Sequence, residues 1–180
     1  MTIGIRVDGG FQVGMGHVYK SLWLAEALRE RGREEACFLV RRDGASTDLI
    51  RSRKFPLEVF PDGMQEKEII ARLNQWVEKH RPSFLIVDHW DWDDAYWSGL
   101  AKIPGAVYVG MDVPEGEFAH FDLAFQGIRN SLSNEEFTEM GCKVYKGPQY
   151  LMTSPDFLPY AGSWKYRGRL KKILLTFGGT

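Results

Sequence analysis

Arg6-Val-Asp-Gly-Gly-Phe-Gln-Val-Gly-Met-Gly-His17 is the stretch that decides how this chain folds. Together with Ile3 and Ile5, Val7 supplies the β-branched apolar positions of a buried strand. Gly9, Gly10, Gly14 and Gly16 then let the backbone turn sharply and come close to a ligand. Beyond them Val18, Leu22, Ala25 and Leu28 recur at helical spacing, and Gly32 marks a stop. A strand, a glycine loop and a helix in that order aim free backbone N–H groups and a positive dipole end at whatever docks there. His17 stands at that end, where a second positive charge is disfavoured, and a neutral imidazole is what a general base requires. The competing reading is that His17 only caps or packs against the turn.

Two nucleotide-binding loops can be tested against the same residues. A dinucleotide fingerprint needs a third glycine three residues beyond Gly16, where Tyr19 stands, and an acidic residue closing the second strand, where Arg41 and Arg42 follow Val40. The phosphate loop of the Walker type fails as well, since no glycine-lysine-serine/threonine run occurs.

Outward from this unit, strand and helix alternate. Ala36 to Val40 reads as a second strand, Ala45 to Arg53 as a short helix, and Leu57 to Phe60 as a third strand before Pro61-Asp62-Gly63. Ile69, Ile70, Leu73, Trp76 and Val77 mark one face of a helix ending near His80, with Pro82 blocking its continuation. Phe84-Leu-Ile-Val87 is a continuous apolar run, as in a strand buried on both faces of a parallel sheet. A helix from Asp93 to Ala101 and a strand from Ala106 to Val109 follow. Further on, the pattern predicts a short strand over Phe121 to Phe125, a short helix over Asn134 to Met140, and sheet extensions at Lys143 to Tyr145 and Gln149 to Met152. The fold expected is α/β: a doubly wound, mostly parallel Rossmann-like sheet. Residues 1–153 form this domain, residues 154–169 read as a linker, and residues 170–180 as a fresh strand with a glycine turn, Lys171 to Phe177 and then Gly178-Gly179-Thr180.

In such a sheet ligands bind beyond the carboxyl ends of the strands. Three strands end in chemistry-bearing residues. After the first come Asp8, the glycines and His17; after the fourth, Asp88-His89-Trp90-Asp91-Trp92-Asp93-Asp94; after the fifth, Met111-Asp112. The acidic run has ligand types that suit a divalent cation, yet its spacing matches no established metal motif, and Asp93 or Asp94 serves equally as a helix cap; no metal is assigned. Trp90, Trp92, Tyr96 and Trp97 either stack on a sugar or pack into the core.

Composition closes off other classes. The 180 residues carry 23 Lys and Arg against 24 Asp and Glu, interleaved, so nothing favours a nucleic-acid or membrane-surface binder. No apolar run approaches the roughly 20 residues of a membrane-spanning helix, and no basic-then-apolar leader opens the chain, which reads as cytoplasmic. Cys37 and Cys142 give neither a disulfide framework nor a zinc spacing.

The pattern Arg6-x-Asp8, Gly14-x-Gly16-His17, Leu24-Ala25 and Leu28 resembles the UDP-sugar hydrolases of the pseudaminic acid pathway and related spore-coat polysaccharide proteins. The likeness runs on through Ile86-Val87-Asp88-His89, Met111-Asp112, Gly147-x-x-Tyr150-Leu151, Asp156-Phe157 and Ile173-Leu-Leu-Thr-Phe-Gly-Gly-Thr180. It implies the N-terminal half of a GT-B fold, with two Rossmann-like domains and the substrate between them. It places the catalytic base on His17, which would deprotonate a water attacking the anomeric carbon of a UDP-linked sugar. Arg6, Asp8, Gly14, Gly16, Lys20, Asp88, His89, Trp90 and Asp112 are the candidate substrate-binding residues, with no cofactor. Two departures are visible: Trp90 stands where the family carries a tyrosine, and Lys20 where it carries an arginine, losing the bidentate fork. The other half of the fold would bind the nucleotide, so residues 1–180 alone are expected to turn over UDP-sugars weakly or not at all. The expected partner is a nucleotide-binding half or a second copy of the chain, since an unpaired apolar strand at Lys171 invites association. A glycosyltransferase with an acceptor hydroxyl in place of water, or a non-catalytic module pairing with a nucleotide-binding partner, are the alternatives.

Overall fold

The computed structural model describes residues 2–10, 13–32, 35–42, 44–88, 94–127 and 136–163, with residues 165, 168, 173 and 175. In chain order the elements are β1 (Thr2–Val7), α1 (Gly16–Glu30), β2 (Glu35–Arg41), α2 (Ala45–Ser52), β3 (Leu57–Phe60) and α3 (Glu66–His80). They continue with β4 (Phe84–Asp88), α4 (Asp94–Ser98), β5 (Val107–Met111), β6 (Leu123–Gln126), β7 (Glu136–Glu139) and β8 (Cys142–Lys146). Short 3-10 helices lie at Glu115–His120, Pro148–Tyr150 and Pro155–Tyr160.

The eight strands form one sheet in the order β3-β2-β1-β4-β5-β6-β8-β7. All neighbours are parallel except β7, which pairs antiparallel with β8 at the edge. The chain thus winds outward from β1 to β3, returns through α3 to β4 beside β1, and winds outward the other way. The order reverses between β1 and β4, where register sets Val7 against Asp88. A crevice at the carboxyl ends of these two strands is where such a sheet receives ligands.

Strand alternation builds a core on each face. Ile3, Ile5 and Val7 of β1, with Ile86 and Val109, pack under Val18, Leu22 and Ala25 of α1. Leu85, Val87 and Tyr108 pack on the other face with Leu73, Trp76 and Val77 of α3 and Tyr96 and Trp97 of α4. Both faces are covered at the centre, which is why β4 reads as an unbroken apolar run. On the α1 face, beyond Leu24 and Leu28, a cavity of about 420 Å³ opens over Ile86, Met111 and Phe125. No helix among the described residues is long and apolar enough to cross a membrane.

The strands expected between Ile3 and Tyr145 and α1, α2 and α3 form within a residue or two of their expected bounds, while α4 is shorter than expected. Two expectations fail. Residues 136–139 are a strand, not a helix: Met140 and Gly141 both take positive φ (51° and 82°) and set Glu139 opposite Cys142, a two-residue hairpin. Gln149 to Met152 adds no strand, because Pro148 lacks the N–H a ladder needs and opens a 3-10 turn instead. Within the expected linker, Pro155–Tyr160 forms a 3-10 helix whose Ser154 Oγ accepts from the Asp156 N–H at 3.3 Å. The strand expected at Lys171 to Phe177 falls mostly outside the described residues, as does Asn134.

Candidate functional site

The loop after β1 closes on itself where the Gly10 N–H donates to the Gly14 carbonyl at 3.1 Å. Gly14 holds φ at 72°, a left-handed conformation that side-chain-bearing residues resist. Helix α1 then starts at Gly16, which is exposed, and no side chain caps it. His17, Lys20 and Ser21, at i, i+3 and i+4, lie on one face of α1 above the ends of β4 and β5.

Asp88, the last residue of β4, receives all three. It is 1% exposed, and its Oδ1 lies 2.8 Å from His17 Nδ1 and 3.0 Å from Lys20 Nζ. The Ser21 hydroxyl donates to its other oxygen at 3.3 Å. A carboxylate only accepts, so Nδ1 carries a proton in this contact, and in the neutral ring Nε2 is the nitrogen with the lone pair. The imidazole is 30% exposed and so has access to a ligand at the rim.

Lys20 also donates to Asp112 Oδ2 at 2.7 Å. Burial pulls the lysine ammonium down, but the charges and hydrogen bonds of Asp88 and Asp112 outweigh it, and the group is held above the usual lysine range. Asp112 itself follows β5 with φ at 52°; its N–H donates to the Phe125 carbonyl at 2.8 Å, and its Oδ1 accepts from the Gly127 N–H at 3.0 Å. The two oxygens of Asp112 therefore join α1 to the segment that follows β6.

Arg6 and Asp8 form a separate pair. The guanidinium is fully buried and engages both oxygens of Asp8, with further donation to the Val7 and Leu39 carbonyls at 3.1 and 3.2 Å. Burial opposes its charge, yet Asp8 and then Tyr96 outweigh that, and the arginine is held firmly protonated. Asp8 accepts in addition from the Arg41 N–H at 2.7 Å. With no exposed surface, Arg6 supports Asp8 and the β1–β2 strand ends.

Of the expected site residues, His17, Lys20, Asp88 and Asp112 are thus brought together, with Gly14 and Gly16 in the adjoining loop. His89 and Trp90 lie outside the described residues. Tyr96 and Trp97 belong to the core, Trp97 meeting Phe121 edge-on at 5.3 Å, which is the packing alternative of the two readings for these rings. Among the described residues no three His, Cys, Asp or Glu side chains gather as a metal site. Ser21 and Gly127 are participants that the sequence reading missed; helical spacing from His17 would have found Ser21.

The doubly wound, mostly parallel sheet has the Rossmann-like fold of the N-terminal half of a GT-B protein. It superposes on MurG from Acinetobacter baumannii with a TM-score of 0.56, at 11% identity, over 74% of this chain and 43% of that one. No family model matches the chain. It is 24% identical over 181 residues to the spore coat polysaccharide biosynthesis protein SpsG of Bacillus subtilis, across the whole of this chain and 51% of SpsG. A similar 24% identity over 186 residues relates it to the uncharacterized protein MJ1062 of Methanocaldococcus jannaschii, across 37% of that protein. The chain therefore spans about half, or less, of the curated relatives it matches.

Proposed function

We propose that this chain is the half of a GT-B enzyme that holds the nucleophile and its base in a sugar transfer from a nucleotide sugar during polysaccharide biosynthesis. The observation that carries the reading is the His17–Asp88 contact of 2.8 Å at the switch point of the sheet. Asp88 fixes the tautomer, leaving Nε2 to accept a proton from an acceptor hydroxyl as that oxygen attacks the anomeric carbon. The C–O bond to the nucleotide diphosphate breaks in the same step, and Asp88 stabilises the imidazolium formed. The likeness to SpsG supports a polysaccharide context. UDP is the nucleotide that the sequence resemblance implies. Water in place of the hydroxyl would make the same geometry a hydrolase, the activity of the resembled pseudaminic-pathway enzymes. The diphosphate would be held by a second half, carried on the same polypeptide or on a partner, which gives the substrate its position.

The test is UDP release from UDP-sugars by the full polypeptide, with and without an acceptor sugar, in wild type and His17→Gln. The expected result is acceptor-dependent release that falls about 10²–10⁴-fold in the variant. Release unaffected by His17→Gln would overturn the base assignment, and release indifferent to any acceptor would favour hydrolysis.

A further inference from the structure

His17 does not face a lone carboxylate. Among the described residues, the charged groups around it are Asp88 at the end of β4, Lys20 on its own helix, and Asp112 after β5. The Arg6–Asp8 pair at the end of β1 is internally neutral. Asp88, Asp112 and Lys20 together carry one negative charge, so a proton arriving on His17 brings the cluster to neutrality. Lys20 lies 2.7 Å from Asp112 and 3.0 Å from Asp88, which makes Asp112 its nearer counter-ion.

We infer that Lys20 and Asp112 are positioning residues that set the proton affinity of His17, with Asp112 drawing the lysine charge away so that Asp88 stays negative towards the imidazole. The inference rests on the reading of His17 as the base. Were Asp112 absent, Lys20 would neutralise Asp88 and a protonated His17 would add an unbalanced cation. The two cations would lie within about 6 Å of each other, since both nitrogens contact the same Asp88 oxygen at 2.8 and 3.0 Å. Were Lys20 absent, Asp88 would lose the cation 3.0 Å away that offsets its charge and would strengthen the imidazole's hold on a proton. Asp112 is built for this task by its surroundings. Its backbone N–H is tied to Phe125, its second oxygen to the Gly127 N–H, and only the Oδ2 edge is turned to Lys20.

The two halves of the pair therefore act in opposite directions, which a merely structural role would not produce. The test is an NMR titration of the His17 ring in the full polypeptide, with the resonance assigned by its loss in His17→Gln. Asp112→Asn should lower the pH at which His17 takes up its proton by about one unit, and Lys20→Met should raise it by about one unit. Lys20→Arg, which keeps the charge, should stay within a few tenths of a unit of wild type. Unchanged titration of His80 and His120 certifies the fold of each variant. Asp112→Asn is isosteric, so it carries the test alone if Lys20→Met fails to fold. Shifts of one sign in both variants, or shifts below about 0.2 unit, would overturn the inference. Opposed shifts together with undiminished turnover in His17→Gln would instead overturn the base assignment and leave the charge balance standing.

Discussion

Replacing Asp88 by asparagine separates charge from shape at the centre of the site. Both His17 Nδ1 and Lys20 Nζ contact Oδ1, at 2.8 and 3.0 Å, and Ser21 Oγ contacts the other oxygen at 3.3 Å. An asparagine carbonyl in the Oδ1 position can still accept from both nitrogens, and its amide can donate to a Ser21 hydroxyl that has rotated. What is lost is the ionic half of two charge-assisted bonds, which are roughly twice as strong as neutral ones. Lys20 keeps Asp112 at 2.7 Å, so no buried charge is left without a counter-ion. The expected loss is about 2 kcal/mol, inside the roughly 1.5–3 kcal/mol range for bonds to charged groups. In a chain of this length that corresponds to roughly 4–8 °C in Tm. Asp88→Ala, which removes the acceptors of His17, Lys20 and Ser21 together, should cost more, about 3 kcal/mol. Urea unfolding of wild type and both variants measures the ladder. An Asp88→Asn variant within 0.5 kcal/mol of wild type would refute the account of Asp88 as the charged hub of this rim.

Gly4 in β1 lies against Trp76, where an added Cβ would come within 2.7 Å of the ring, so Gly4→Ala should destabilise by about 1–3 kcal/mol in the same urea assay. The Cys37 thiol is pushed up from 9.0 to about 11, by burial first and then by Glu58 and Glu35. Because the native state holds that proton more tightly, the contribution to stability is complete below pH 9.0 and fades as the pH rises towards about 11. At pH 8 native Cys37 should react with a thiol reagent up to about 100-fold more slowly than in the unfolded chain, read by peptide mass mapping of the labelled residue.

Much of the architecture was legible because burial on both faces of a parallel sheet leaves a mark that needs no tertiary information. The apolar run of β4 and the one-sided periodicity of α3 are direct consequences of where those elements sit. The β7–β8 hairpin was not legible, since Met140 is an uncommon residue for a left-handed turn position and its neighbours Glu136–Glu139 carry no clear alternation. At the site, the sequence places Asp8, Asp88 and Asp112 just beyond strand ends and names none of them as the partner of His17. Choosing between them required knowing that β4, 71 residues on, lies next to β1 and that Val7 is level with Asp88.

Strand parity would nonetheless have settled part of that choice. Ile3, Ile5 and Val7 face α1, so Arg6 and Asp8 belong to the opposite face, where Arg6 lies over Phe60 and Asp8 is held by it. Ile86 faces α1 as well, and Asp88, two residues on, shares its side and meets His17. Applied to β5, the same rule goes wrong: Val109 and Met111 face α1, so Asp112 should point away, yet its carboxylate reaches Lys20. The left-handed backbone at Asp112, φ 52°, breaks the alternation there and brings the side chain back to the α1 side. Aspartate is among the residues that tolerate this conformation best, and its two oxygens recover the cost through Lys20 and Gly127. The one member of the cluster that parity cannot place is thus the one whose position the backbone had to be distorted to reach. That conformation lets one carboxylate meet Lys20 on α1 and the Gly127 N–H after β6 at once.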